Sequence, residues 1–251
     1  MGKKSKAQEA EMKRQYQEER RRKELEKKKK QNKLMWQIVI CVVAAVLLIT
    51  AVIVAIALGG KKEITPTKLD GYINSEEITD FVRMNVTYTD KNGKKTTGDI
   101  VVKLLPDVAP ITVENFQNLV DADFYNGLTF HRIDYGFMIQ GGDPNGDGTG
   151  GTTTIKGEMT NNGFQNDLSH ERGVISMARL PYSYDSASCQ FFIMHEDTPS
   201  LDGEYASFGY VVYGMDTVDG IAGTKVGGAQ NTTPVNPVTI NYMNFVTPEA
   251  E

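Results

Sequence analysis

From Phe81 onward, apolar and polar residues alternate with a period of two. Val82, Met84, Val86 and Tyr88 fall on one face of a strand, Asn92-Gly93 supplies a hairpin turn, and Asp99–Leu105 reads as the returning strand. At Pro110 the period changes. Val113, Phe116, Leu119 and Val120 share one face of a helix that Pro110 opens, with Thr112 as a candidate cap. Short apolar runs predict further strands at Leu128–Ile133, Phe137–Gly141, Gly173–Ala178, Gln190–His195, Ala206–Val212 and Val238–Phe245, and a short helix at Met215–Ala222. Many short strands, glycine-rich turns and two helices predict a mainly β fold, a closed antiparallel barrel with capped ends.

Ahead of that region the pattern is different. Ile38–Leu58 is a run of 21 residues without a charge, with Trp36 at its start. About 20 apolar residues cross a hydrocarbon core as a helix, and tryptophan favours the interface. Ala55-Ile56-Ala57 resembles a signal-cleavage site, but the run exceeds the roughly 7–15 residues of a signal core, so the reading is an uncleaved transmembrane anchor. The expected organisation is a basic arm (1–34), the anchor (35–58), a polar linker (59–80), the barrel domain (81–247) and a short tail (248–251).

Charge orients this arrangement. Residues 1–33 hold 14 Lys/Arg and 6 Glu, a net of +8, so the remainder of a −5 chain sums to −13. By the positive-inside rule the arm is cytoplasmic and the barrel domain lies outside the cytoplasm. The arm reads as a solvated charged helix that is also attracted to anionic lipid headgroups, at about 1 kcal/mol per cation. Nothing beyond charge points to nucleic acid. One cysteine (Cys41) sits in the apolar run and one (Cys189) in the domain, which argues against an intramolecular disulfide.

The most conspicuous chemistry is in FHRIDYGFMIQGGDPNGDGTGG, Phe130–Gly151. Asp143, Asn145, Asp147 and Gly148 match the start of a calcium loop, but its twelfth position is Thr154 rather than Glu. The glycines lack the Lys-Ser/Thr of a phosphate loop, since Thr152 and Thr153 follow. The aspartates read as solvated turn residues. His131, His170 and His195 lack a nucleophile elbow or a zinc-ligand spacing and read as structural. What remains is Arg132, Phe137, Met138, Gln140, Gln190 and Phe192: apolar rings beside amide and guanidinium donors.

This segment, followed in order by GVISMA (Gly173–Ala178), S-x-QFFI (Ser188–Ile193) and LDGEYASFG (Leu201–Gly209), resembles the cyclophilin peptidyl-prolyl isomerases over about residues 82–246. The resemblance implies an eight-stranded antiparallel barrel capped by two helices, with a peptide groove on its outer wall. It implies that Arg132 is the catalytic arginine and that Gln140 holds it. Phe137, Met138, Phe192 and Leu201 would line a proline pocket, and Ala178 and Gln190 would contact the residues preceding proline. Tyr205 stands where many members have histidine. Isomerisation breaks no bond, so neither metal nor cofactor is implied. The expected role is folding of exported, proline-containing polypeptides; the alternative is a proline-peptide-binding chaperone module with little turnover. Two departures stand out. Ser200 replaces a tryptophan, which predicts weakened cyclosporin binding. Residues 179–187 replace a short polar loop, with Arg179 where an asparagine contacts substrate; Tyr182 and Tyr184 either extend the groove or belong to a solvated loop.

Overall fold

The computed structural model describes Leu69 and residues 71–249. The basic arm, the apolar run and half of the linker (59–68 and 70) lie outside these residues. Among the described residues, no helix is long and apolar enough to cross a membrane.

The described residues form eleven strands and two α-helices in order: β1 (Tyr72–Asn74), β2 (Phe81–Thr89), β3 (Lys95–Leu104), α1 (Pro110–Asp121), β4 (Thr129–Asp134), β5 (Met138–Asp143), β6 (Val174–Met177), β7 (Phe191–Met194), β8 (Ser207–Tyr213), α2 (Met215–Ala222), β9 (Val226–Gly227), β10 (Thr233–Pro234) and β11 (Thr239–Pro248). Eight of the strands pair in the order β11-β2-β3-β8-β6-β7-β5-β4, and the Thr239–Thr129 pairing of β11 with β4 closes the ring. Every pairing is antiparallel, so the predicted eight-stranded barrel forms.

The barrel encloses side chains, not a channel. Phe116 from α1 packs on Tyr125, Phe191 and Phe208, and Phe130 packs on Phe191, with ring centroids 5.2–5.8 Å apart. All five rings are fully buried, among Val, Ile and Met residues from every barrel strand.

The expected linker ends sooner than the sequence pattern indicated. Tyr72 pairs with Pro248 and Asn74 with Val246, which draws residues from both the linker and the tail into the sheet. Leu69 and Tyr72 cover Val101 and Val246 on the outside of the barrel, next to Phe81. A three-residue strand is too short for its alternation to register in the sequence.

Thr112 does not cap α1 in the expected way. Ala109 is the N-cap and makes no side-chain capping bond. Instead the buried Glu158 carboxylate accepts the Ile111 N–H (3.1 Å), the Thr112 N–H (2.8 Å) and the Thr112 hydroxyl (2.8 Å). A negative group there satisfies orphan donors and complements the helix dipole. The cap comes from 46 residues away, beyond the reach of local pattern. Glu158→Ala is expected to destabilise the domain by roughly 2–3 kcal/mol, because it strands buried donors. The shift in urea midpoint measures this, with Glu158→Gln intermediate.

Candidate active site

The site starts from a register irregularity. Phe130 and Ile133 both face the core although they are three residues apart, which a regular strand forbids. Phe130 pairs with Gly141 while Arg132 pairs with Gln140, so His131 is an extra residue on β4. Such a bulge re-aims the side chain that follows it. Here it turns Arg132 out of the barrel.

Across the outer wall, Arg132 on β4 lies opposite Gln140 on β5, Gln140 opposite Phe192 on β7, and Phe192 opposite Ser176 on β6. One row therefore carries a guanidinium, an amide and a ring. Phe191, one residue earlier, points into the core, so the two phenylalanines of QFF serve opposite faces. Met138, two residues before Gln140, shares its face, and with Val174, Phe192 and Met194 forms a second apolar cluster. Phe137, Ala178, Leu201 and Tyr205 pack against this cluster. All six apolar or aromatic residues singled out in the sequence thus meet in one place.

The polar residues form a chain. The Arg132 Nη1–H donates to Gln140 Oε1 at 3.4 Å, and Gln140 Nε2–H donates to Gln190 Oε1 at 3.0 Å. Gln190 Nε2–H in turn donates to the carbonyls of Gly148 (3.1 Å) and Gly150 (2.7 Å). Arg132 also lies 3.6 Å from the exposed Asp134 carboxylate, and its guanidinium carbon sits 5.8 Å from the Phe137 ring centre. Half-exposed ion pairs of this kind contribute little energy. Orientation is the larger effect.

The glycine-rich loop is what holds the far end of the chain. Asp143 was expected to be solvated, yet it is 1% exposed. Its carboxylate accepts the N–H groups of Asn145 (2.8 Å), Asp147 (3.0 Å) and Gly148. The residues of the apparent calcium loop fold onto their own first carboxylate. Gly150 is required because a Cβ there would collide with the Asp143 Oδ1 atom. Asp147 is the exposed aspartate; hydrogen bonds from the Thr149 hydroxyl and N–H hold its carboxyl below the usual range.

Behind the rings lies a layer that sequence reasoning only partly anticipated. His170 is buried, stacks on Phe192 at 6.1 Å and meets Tyr205 edge-on at 6.5 Å. Its Nδ1 lies 2.9 Å from Asp202 Oδ1 and its Nε2 lies 3.1 Å from Ser176 Oγ. This Asp-His-Ser line has the spacing of a nucleophilic triad, but Ser176 is 0% exposed, so it braces the pocket wall. His195 accepts the Gly136 N–H at 3.1 Å, and its own N–H donates to the Phe137 carbonyl at 2.9 Å, fixing the turn that presents Phe137. Both histidines are structural, as expected. The sequence carried no signal for their partners.

Arg179 stands where family members carry an asparagine that contacts substrate, and the sequence leaves the role of its loop open. Its side chain is 6% exposed and ion-paired with Glu204 at 2.8 Å. Tyr184 packs on its guanidinium, while Tyr182 is 83% exposed.

An apolar cluster on the outer wall beside an oriented guanidinium, on a barrel with a filled interior, places the candidate site outside the barrel. A family model described as cyclophilin type peptidyl-prolyl cis-trans isomerase/CLD matches residues 87–244, more than half of the chain. A Staphylococcus saprophyticus protein named as a peptidyl-prolyl cis-trans isomerase is 34% identical over 205 residues, 67% of this chain and 100% of that one. Peptidyl-prolyl cis-trans isomerase B of Bacillus subtilis is 46% identical over 118 residues, 47% of this chain and 78% of that one. The solved cyclophilin-type isomerase of Cryptosporidium parvum superposes with a TM-score of 0.59 at 26% identity, covering 68% of this chain and 99% of that one. A second structure of that isomerase, in the presence of the dipeptide Ala-Pro, gives a TM-score of 0.54 at 26% identity over 66% and 99%. The chain belongs to the cyclophilin-type peptidyl-prolyl cis-trans isomerases and is an isomerase of that kind.

Burial lowers the pKa of both His170 and His131 from the ordinary 6.5, and the Asp202 contact only partly offsets this at His170. With folded values below the unfolded one, the unfolded chain takes up protons first. Their contribution to stability is therefore complete above about pH 6.5 and is lost as pH falls through the folded values. The urea midpoint is expected to drop between about pH 7 and pH 5, and His170→Gln to flatten part of that drop.

Proposed function

We propose that Arg132 is the catalytic residue and that Phe137, Met138, Phe192 and Leu201 hold the proline ring while the acyl side turns. The single observation that carries this is the row Arg132–Gln140–Phe192 on one outer face. The Ala-Pro dipeptide present with the related isomerase supports a proline-sized occupant.

An amide resists rotation by roughly 18–20 kcal/mol because of its partial double bond, and X-Pro bonds exchange over tens to hundreds of seconds. As the bond twists, conjugation is lost and the nitrogen becomes pyramidal and basic. A fixed guanidinium can then donate to that nitrogen, an interaction absent from the planar ground state and therefore selective for the transition state. Gln140 and the Gln190–loop chain hold the donor in place beforehand. Gln190 and Ala178 contact the residues preceding proline, and Tyr205 closes the side of the pocket next to Phe192. Arg suits this role because its planar fork is permanently charged. No covalent intermediate is required.

The setting is the outer face of a membrane, with exported polypeptides as substrates. The charge-free run Ile38–Leu58 and the +8 arm before it support this reading, and the arm adds attraction to anionic headgroups. Ser200, in place of a tryptophan contact, supports weakened cyclosporin binding.

Full-length protein in detergent is expected to accelerate cis/trans exchange of a proline tetrapeptide, and Arg132→Ala to lower kcat/KM roughly a hundredfold. Wild-type activity in Arg132→Ala would rule the assignment out. For the setting, protease added to intact cells from which any outer wall or membrane has been removed should digest the barrel domain and spare the arm. A protected domain would overturn it.

A further inference from the structure

The loop 179–187 and the turn after Leu201 meet on one side chain. The Arg179 guanidinium carbon lies 4.6 Å from the Tyr184 ring centre and 4.8 Å from the Tyr205 ring centre, so two rings contact one cation. Its edges are also occupied. Nε–H donates to the Glu204 carbonyl (2.8 Å), Nη2–H to Glu204 Oε2 (2.8 Å), and Nη1–H to the carbonyls of Leu180 (3.1 Å) and Pro181 (3.2 Å). Glu204 is itself held from the other side by the Asn161 amide. Arg179 therefore has little left to offer a substrate, and its charge is spent within the fold.

Its reach into the pocket is through Tyr205. That ring stands edge-on to Phe192, with centroids 5.5 Å apart and planes at 87°. Tyr205 has no residue-to-residue strand pairing to hold it, since it lies in the turn before β8. Its backbone N–H donates to the Leu201 carbonyl (3.3 Å), and its ring is contacted by Arg179, Phe192 and His170.

We infer that Arg179 is a positioning residue that sets the width of the proline pocket: clamped by Glu204 and Tyr184, it presses Tyr205 into a fixed wall beside Phe192. This rests on the reading of that cluster as the proline pocket. A rigid wall matters for ring size, because a pocket fitted to a five-membered ring rejects one more methylene only if the wall cannot yield. Charge alone does not make the clamp. A guanidinium stacks flat between two rings and bonds along its edges at once, which an ammonium does not.

The test uses full-length protein in detergent and two tetrapeptides, one containing proline and the other its six-membered homologue, pipecolic acid. Arg179→Ala is expected to raise KM for the proline peptide about fivefold with kcat within about twofold, since Arg179 does not touch the reacting amide. The preference for proline over pipecolic acid should narrow by a similar factor, about fivefold. Arg179→Lys should not restore either value. Tyr184→Leu, which removes one face of the clamp and leaves Glu204 paired, should shift both in the same direction by less; it decides the matter if Arg179→Ala does not fold. Unchanged KM and unchanged ring preference in a folded Arg179→Ala, or full recovery in Arg179→Lys, would overturn the inference. If Arg132→Ala is inactive while the Arg179 variants match wild type, the clamp alone fails. If Arg132→Ala retains full activity, it is the catalytic assignment that fails.

Discussion

A closed barrel packed with its own aromatic rings has no interior left for a ligand, and this constraint sets where the site lies. Phe116, Tyr125, Phe130, Phe191 and Phe208 fill the space that a wider barrel would leave open. A polypeptide chain must then be met on the outer wall. For that wall to carry chemistry, strands whose inward residues are already committed to the core must also present functional residues outward. Period-two alternation does this on β5 and β7, where Gln140 and Phe192 face out while Ile139, Phe191 and Ile193 face in. On β4 alternation alone fails, because Phe130 and Arg132 would share a face. The extra residue at His131 resolves the conflict.

The same wall explains why the glycine-rich segment matters without doing chemistry. Its carbonyls at Gly148 and Gly150 terminate the hydrogen-bond chain that begins at Arg132. They stay in position because the buried Asp143 carboxylate gathers the loop's own N–H groups. An unpaired buried carboxylate would be costly, but one that accepts several backbone donors is accommodated. The guanidinium is thus oriented by the fold itself, which is what the proposed role in twisting an amide requires.

A second layer stands behind the apolar rings, and it is polar. Asp202, His170 and Ser176 back Phe192, and Glu204 with Arg179 backs Tyr205. His170 and Ser176 are buried and the Arg179 side chain nearly so, while the carboxylates of Asp202 and Glu204 lie closer to solvent; the buried members rigidify what they touch because each is satisfied. Phe192 and Tyr205 of the outer apolar cluster are consequently held both by packing and by hydrogen-bonded neighbours.

Much of this molecule is legible in its sequence, because local periodicity encodes which face of an element is buried. The strands β2–β8 and β11 and both helices follow from alternation and helical spacing, while Arg132, Phe137, Met138, Gln140, Phe192 and Gln190 are marked by the ordered motifs of the family resemblance. Other features depend on pairings across tens of residues, and no window of sequence contains them. Glu158 caps a helix 46 residues before it, β1 pairs with the far end of the chain, and Asp143 turned out buried rather than solvated. Arg179 shows the limit most plainly. The sequence marked it only as a departure from the family pattern, and the structure supplies its partners, the rings of Tyr184 and Tyr205 and the Glu204 carboxylate. The sequence by itself determined the strands and helices of the barrel, which rest on periodicity, and its ordered motifs marked, through the family resemblance, which side chains could carry chemistry. Only the tertiary structure decided which way Arg132 and Arg179 point, because a bulge and a cation between two rings exist only once distant segments have met.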